Sequence, residues 1–303
     1  MEWQQVIGFY HVARLNSFTR AAEATFRTQS ALSQQVKALE RELGGPLVER
    51  IGRGKLRLTP AGELFFSYCQ SALDGRMHFL SELNRLRGCY AGRLSIAAPF
   101  ASFYRLLGDM LTGFFQQYPD VEPTLFERSP QEIIEGVRNG EVDLGLVMAS
   151  AAPKDLVVKP WKKAECVLLA PADHPVTARK RITLAAVAEY PLILLPRDQR
   201  YAARDNLEEK LQAAGLPYRI VMESSNIVLS AEYAQRGLGV AFVKLVAGFE
   251  RFLPPDLAIA PLNHLFKKDS LAVIYRKTKK LLDYEQKFLE HLFAENKKGK
   301  GNG

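Results

Sequence analysis

The chain has 303 residues, 47% hydrophobic and 24% charged, enough apolar material for two or three cores and too much chain for one simple domain. Its net charge of +8 divides unevenly, with +4 over residues 1–91, zero over 92–275 and +4 over 276–303, so a basic end that meets a polyanion is joined to a neutral body with another task. No run reaches the ~18 consecutive apolar residues of a membrane span, and the first twenty residues, with Trp3, Gln4, Gln5, His11 and Arg14, do not form a signal core, so neither membrane insertion nor secretion is expected and a cytoplasmic location is.

From Trp3 to Ala13, the apolar residues Trp3, Val6, Ile7, Tyr10 and Ala13 recur at helical steps and predict a helix with one buried stripe. A break at Leu15, Asn16 and Ser17 precedes a second helix, capped by Ser17 or Thr19 and carrying Ala21, Ala22 and Phe26, whose small residues allow a close crossing. Thr28 caps a third helix with Leu32, Val36, Leu39 and Leu43 on one side, ending at Gly44-Gly45 before Pro46. Three short helices with a tight second turn form a helix-turn-helix candidate.

The outer side of the third helix carries Gln29, Ser30, Ser33, Gln34 and Lys37. Amides and hydroxyls at a helix N-terminus suit base edges and phosphates in a major groove, although the same residues also suit the solvated face of a packing module. The stretch from Leu47 to Leu58 favours the first reading. It predicts a hairpin in which Gly52 and Gly54 bracket the turn, Leu56 and Leu58 alternate with Lys55 and Arg57, and the acid-free tip holds Arg53 and Lys55. Such a wing would bring Arg53 to a minor groove or to phosphates.

Thr59-Pro60-Ala61-Gly62-Glu63 is a helix start, and the helix it opens can run to about Arg87. Its apolar residues Phe65, Cys69, Leu73, Met77, Leu80 and Leu83 need a partner longer than the wing domain, and a second copy of the chain would carry a second DNA reader. Phe65, Leu73, Met77, Leu80 and Leu83 are the expected dimer contacts.

The runs Ser17–Glu23, Gln29–Gly44, Pro46–Arg50 and Leu58–Glu63, in this order and spacing, closely resemble the LysR-type transcriptional regulators over about the first 65 residues. The resemblance implies a winged helix-turn-helix, a dimerising linker helix and an effector domain built like a periplasmic binding protein. It places DNA contacts on Thr28, Gln29, Ser30, Ser33, Gln34 and Arg53. Ser30 stands where the family usually has proline and Gln34 where it often has arginine, departures that put a phosphate or guanine contact at stake and leave the operator sequence open, while the binding mode is kept.

After a hinge-like stretch from Gly88 to Gly92, strands and helices alternate. Strand Leu94–Ala98, helix Tyr104–Tyr118, strand Val121–Arg128, helix Pro130–Asn139 and strand Val142–Met148 make a βαβαβ unit with a mostly parallel sheet. A second set runs from Cys166–Pro171 through helix Leu184–Glu189, strand Leu192–Leu195, helix Ala202–Ala214, strand Tyr218–Met222, helix Asn226–Arg236 and strands Val240–Val243 and Leu257–Pro261. Strand Ser270–Tyr275 and helix Lys279–Phe293 return the chain. This fits a two-lobed sensor with crossovers near Pro160–Lys163 and Phe266–Lys268, and ligands of such sheets bind at the carboxyl ends of strands. Candidate pocket walls are Pro99, Phe100, Ser102 and Ser129 from one lobe and Arg197, Tyr201, Asn226 and Ile227 from the other. Hydroxyls and helix N-termini beside Arg197 or Arg200 suit a small carboxylate or another anion, and the same groups also serve as caps and surface arginines.

No catalytic set stands out. The sequence lacks GxSxG, a P-loop and GxGxxG, its three cysteines (Cys69, Cys89, Cys166) have neither zinc nor disulfide spacing, and its five histidines form no ligand pattern, so no enzyme activity, cofactor or metal is expected. The Lys- and Gly-rich stretch 296–303 reads as a disordered tail.

The expected fold is α/β with an all-α, winged amino-terminal part: a DNA-binding domain over 1–59, a linker and dimerisation helix with hinge over 60–91, and an effector domain over 92–303. Its lobe I spans about 92–162 and 268–295, and its lobe II about 163–267. The expected partners are double-stranded DNA, a small-molecule effector, RNA polymerase and further copies of the chain as a homodimer or homotetramer. A cytoplasmic small-molecule-binding protein whose amino-terminal helices only dimerise is the alternative, with an α/β enzyme carrying a regulatory appendage as a second.

Overall fold

The computed structural model describes residues 1–51, 55–197 and 202–298. The chain divides into two units, the first formed mainly by residues 1–92 and the second mainly by residues 93–138 and 142–277.

In the first unit, α1 (Trp3–Leu15), α2 (Phe18–Ala24) and α3 (Gln29–Glu42) precede a hairpin of β1 (Val48–Ile51) and β2 (Lys55–Leu58) and the 27-residue α4 (Pro60–Leu86). Ser17, Thr28 and Thr59 are the N-caps of α2, α3 and α4, each accepting the N–H three residues on. The core joins all four helices through Val6, Phe9, Val12, Ala21, Ala22, Leu32, Val36, Leu39, Phe65 and Cys69.

The buried stripe of α1 is rotated from its expected position. Trp3 is exposed and Ile7 and Tyr10 are half-buried, while Phe9 and Val12 are buried, because Phe9 meets the Phe65 ring edge-on at 5.0 Å. Phe26, expected inside α2, lies beyond its end in left-handed backbone (φ +53°) with its side chain 98% exposed. Leu43 follows α3 as its C-cap and is exposed rather than part of the stripe. The hairpin pairs as expected from Val48↔Leu58 to Ile51↔Lys55, with Leu56 and Leu58 packed on the core and Arg57 exposed.

Phe65, expected on a surface that meets a second copy, lies instead in the core of its own unit, with Cys69 beside it. The exposed apolar residues of α4 are Leu64, Tyr68, Met77, Phe79, Leu80 and Leu86, and Leu73 and Leu83 are half-buried. Burial pushes the Cys69 thiol up to about 12, so it remains protonated.

The second unit is built on a nine-stranded sheet in the order β4-β3-β5-β11-β6-β9-β7-β8, with β10 on β6. The strands are β3 (Gly92–Ala98), β4 (Val121–Glu127), β5 (Leu144–Met148), β6 (Leu156–Pro171), β7 (Leu192–Leu194), β8 (Ile220–Glu223), β9 (Val240–Val246), β10 (Leu257–Pro261) and β11 (Asp269–Arg276). The helices are α5 (Gly108–Gln117), α6 (Pro130–Arg138), α7 (Leu184–Ala188), α8 (Ala202–Ala213), α9 (Ile227–Gln235) and α10 (Asp283–Lys298). Parallel pairing holds for β3 with β5 and for β7 with β8 and β9, whereas β6, β10 and β11 pair antiparallel, so the sheet is mixed.

Residues 160–163, expected as a crossover loop, lie inside the 16-residue β6. The first half of that strand pairs with β11 and its second half with β9 and β10, so one strand joins the two halves of the sheet. Pro160 is tolerated because the register slips between Leu271 and Ala272, a bulge that relaxes the ladder at that point. The helix expected over 104–118 opens as a π-helical stretch, Ser102–Leu107, before α5 begins. At the carboxyl end, α10 continues through residues 296–298, which were expected in the tail.

Candidate functional site

The first candidate surface is the outer side of α3. Thr28, Gln29, Ser30, Gln34 and Lys37 are exposed and Ser33 is half-buried, and the steps from Ser30 through Ser33, Gln34 and Lys37 to Arg41 follow one side of the helix. The Thr28 hydroxyl accepts from the Ala31 N–H at 3.2 Å and lies 3.2 Å from Ser30 Oγ. Arg27 fixes the turn before the helix by donating to Gln35 Oε1 at 2.6 Å and Gln4 Oε1 at 2.5 Å.

Behind this face lies an open groove of about 690 Å³ lined by Gln34, Lys37, Glu40, Arg41 and Gly44 to Pro46. Glu40 Oε1 accepts the Leu47 N–H at 2.8 Å and the Val48 N–H at 3.2 Å, which ties α3 to the start of the hairpin. Arg41 was not singled out from the sequence, although its place one turn beyond Lys37 carried the signal. Arg53 lies outside the described residues, as does the side chain of Lys55.

His11 lies in α1, where burial, reinforced by Arg14, lowers its pKa to about 4, and its Nδ1 lies 3.4 Å from Arg14 Nη2. The unfolded chain binds a proton on this imidazole near pH 6.5 and the folded chain does not, so stability is retained above pH 6.5 and falls as pH drops from there toward 4. After discounting for partial exposure, we expect His11 to remove on the order of 1–2 kcal/mol between pH 7 and 5. Urea titrations at both pH values should show the loss in wild type and a smaller one in His11→Gln. Equal losses in both would assign it elsewhere.

The second candidate site is a cavity of about 140 Å³ in the second unit. Three of the expected residues line it: Pro99 and Ser102 after β3, and Ile227 at the start of α9. Four others are not among its lining residues. Phe100 stacks on Tyr104 at 5.2 Å, Ser129 donates to Glu132 at 2.7 Å, and the largely exposed Arg197 is paired with Glu208 at 2.8 Å. Asn226 caps α9, its Oδ1 accepting from the Val228 and Leu229 N–H groups. Tyr201 lies outside the described residues.

Ser225, in the stretch before Ile227 that the sequence also offers as a wall, lines the cavity too, and the lining residues that sequence reasoning missed include Ser150, Ser230, Lys244 and Phe249, among mostly aliphatic neighbours. Lys244 could have been found, because a lysine inside the apolar run Val240–Val246 requires a counter-charge. That charge is Asp269 at the start of β11, 2.6 Å from Lys244 Nζ, with both side chains largely buried. Asp269 Oδ2 also accepts from Ser150 Oγ at 2.5 Å, and its Oδ1 accepts the Ser270 N–H at 2.8 Å and the Ser150 N–H at 3.2 Å. Burial disfavours the charge on Asp269, but these donors outweigh it and hold its carboxyl below the usual range. Cys166, opposite Lys244 in the ladder, is pushed up by burial and remains a neutral thiol.

Among the described residues no group of three His, Cys, Asp or Glu side chains converges as a metal site, and no helix is long and apolar enough to cross a membrane.

A family model described as the bacterial regulatory helix-turn-helix protein, lysR family, matches residues 3–63, and one described as the LysR substrate binding domain matches residues 88–297. The HTH-type transcriptional activator CmpR of Synechocystis is 31% identical over 292 residues, covering 94% of this chain and 93% of the relative. A full-length OxyR variant from Pseudomonas aeruginosa has a similar structure, with TM-score 0.69 and 24% identity over 97% of both chains. Full-length CbnR, complexed with its target DNA, aligns with TM-score 0.53 and 24% identity over 96% of this chain and 99% of that one.

Proposed function

The chain belongs to the LysR family of bacterial transcriptional regulators, and from that premise we propose that it is a ligand-responsive, sequence-specific DNA-binding regulator of transcription. Residues 1–59 read the duplex, 60–91 link and dimerise, and 92–303 sense a small molecule. The observation that carries the reading is the outer side of α3, where exposed amides, hydroxyls and cations follow one face of a helix held by a fixed turn and a hairpin.

Gln29 and Ser33 set sequence preference, and Lys37, Arg41 and the wing residues Arg53 and Lys55 supply charge to phosphates. Met77, Leu80 and their exposed apolar neighbours on α4 suit a second copy, which brings two readers to a two-fold operator in a homodimer or homotetramer. The cavity bounded by Pro99, Ser102, Ile227 and Lys244 takes the effector. Binding there shifts the relative arrangement of the two halves of the sensor, then the geometry of the oligomer and the bend of the DNA between half-sites. RNA polymerase is the partner that reads the result.

Thermal-shift screening of the full chain against small carboxylates, amino acids and inorganic anions tests the cavity. Ser102→Ala should weaken the best stabiliser about 2- to 10-fold, the worth of one hydrogen bond, and leave DNA affinity in its absence unchanged. An unaltered dose response would remove Ser102 from the site.

A further inference from the structure

The Lys244 ammonium and the Ser150 hydroxyl both line the cavity and already hold a carboxylate, that of Asp269. Ser150 follows β5, Lys244 belongs to β9 and Asp269 opens β11, the strand that returns the chain to the first half of the sheet. One carboxylate therefore ties together groups from both halves, next to the strands that join them.

Asp269 is held in two separable ways. Its Oδ1 rests on the backbone N–H groups of Ser150 and Ser270, and its Oδ2 on the Lys244 ammonium and the Ser150 hydroxyl. The residues that supply the second pair of donors, Lys244 and Ser150, both line the cavity. Along the strand pairing of Lys244, the titratable side chain set against it is the neutral thiol of Cys166. Ser102 and Ser230, both buried cavity residues, and Ser225 add hydroxyls, and the remaining walls, with Leu106, Val147 and Phe249 among them, are apolar.

We propose that the effector is a small monocarboxylate with an apolar body, whose carboxylate takes Lys244 and Ser150 over from Asp269. Asp269 then keeps only its two backbone N–H bonds, and the tie between the halves of the sheet is released. A doubly charged phosphate finds a single ammonium among the described lining residues, with the Asp269 carboxylate still beside it, and is disfavoured. The proposal rests on the reading of this cavity as the effector site.

Chemical rescue of Asp269→Ala in the full chain tests it. Removing the internal carboxylate leaves Lys244 buried and unpaired and should lower the melting temperature by about 5–10 °C. Sodium acetate at about 100 mM should restore at least half of that loss, while equal sodium chloride or acetamide restores little. The double variant Asp269→Ala/Lys244→Met should not respond to acetate. If Asp269→Ala does not fold, Asp269→Ser carries the same test, because its short side chain also vacates the place of the carboxylate while keeping a polar group there.

Acetate should also shift the DNA affinity of the rescued variant by about threefold or more. Stabilisation by acetamide equal to that by acetate, or no response to acetate, overturns the carboxylate assignment and leaves the cavity reading to the Ser102 test. Stabilisation by acetate with unchanged DNA affinity keeps the carboxylate site and overturns the cavity's regulatory role.

Discussion

Gly62→Ala should destabilise the amino-terminal unit by about 3 kcal/mol or more and abolish specific DNA binding. In an exposed helix interior the same change stabilises by roughly 1 kcal/mol, because alanine has the better helix propensity. The sign reverses here because a Cβ on Gly62 would lie 1.9 Å from the Leu47 carbonyl oxygen and 2.9 Å from its carbon. That carbonyl cannot step aside freely. It accepts the Thr59 N–H at 3.0 Å, Leu47 itself is buried in the core, and its own N–H is bonded to Glu40 on α3. Pushing Leu47 away therefore disturbs the link from α3 to the hairpin as well as the start of α4. Thermal unfolding and DNA titration of the full-length variant check this. A variant at least as stable as wild type that still binds DNA would mean that the contact is not a constraint.

Gln29→Ala should cost about 1–3 kcal/mol at the preferred site, roughly 5- to 150-fold in affinity, with much smaller losses on unrelated duplexes. The residue sits in the first turn of α3 with its side chain exposed and engaged by none of the described residues. A free amide can face the N6 and N7 edge of adenine in two directions at once, which a phosphate contact cannot reproduce. Losses should concentrate at one base pair in each half-site when single-base variants are compared. A uniform loss across all sequences would make Gln29 a backbone contact, and no loss would remove it from the interface.

The amino-terminal unit was largely legible in the sequence because its signals are local. Ser17, Thr28 and Thr59 mark helix starts through side chains that bond within three residues, and Gly44 marks an end through its backbone freedom (φ +77°). What failed there depended on tertiary partners. Phe65 and Met77 read as one stripe on α4, yet only Phe65 meets Phe9, so the first turns of that helix belong to its own core. Phe9 itself was overlooked for the mirror reason, since the phase of an amphipathic helix cannot be fixed while its neighbour is unknown.

In the second unit, strand and helix positions were readable from apolar runs, but pairing direction was not. Pro160 with Lys162 and Lys163 reads as a linker in sequence, whereas in the fold a bulge absorbs the proline and the strand continues. The cavity was the least legible part. Arg197 and Asn226 have the chemistry of ligand contacts, but the fold uses one as an ion-pair partner of Glu208 and the other as a cap. Lys244 and Asp269, 25 residues apart, become a pair only when β6 sets β9 and β11 along its two halves.

Selection of bound duplexes from a random pool by the full-length chain is the most direct measurement of whether α3 reads DNA two copies at a time. The account predicts an enriched motif with two related half-sites, centred about 10 base pairs or a multiple of that apart, and relaxed at one position per half-site by Gln29→Ala. A recovered pool indistinguishable from the input would contradict it.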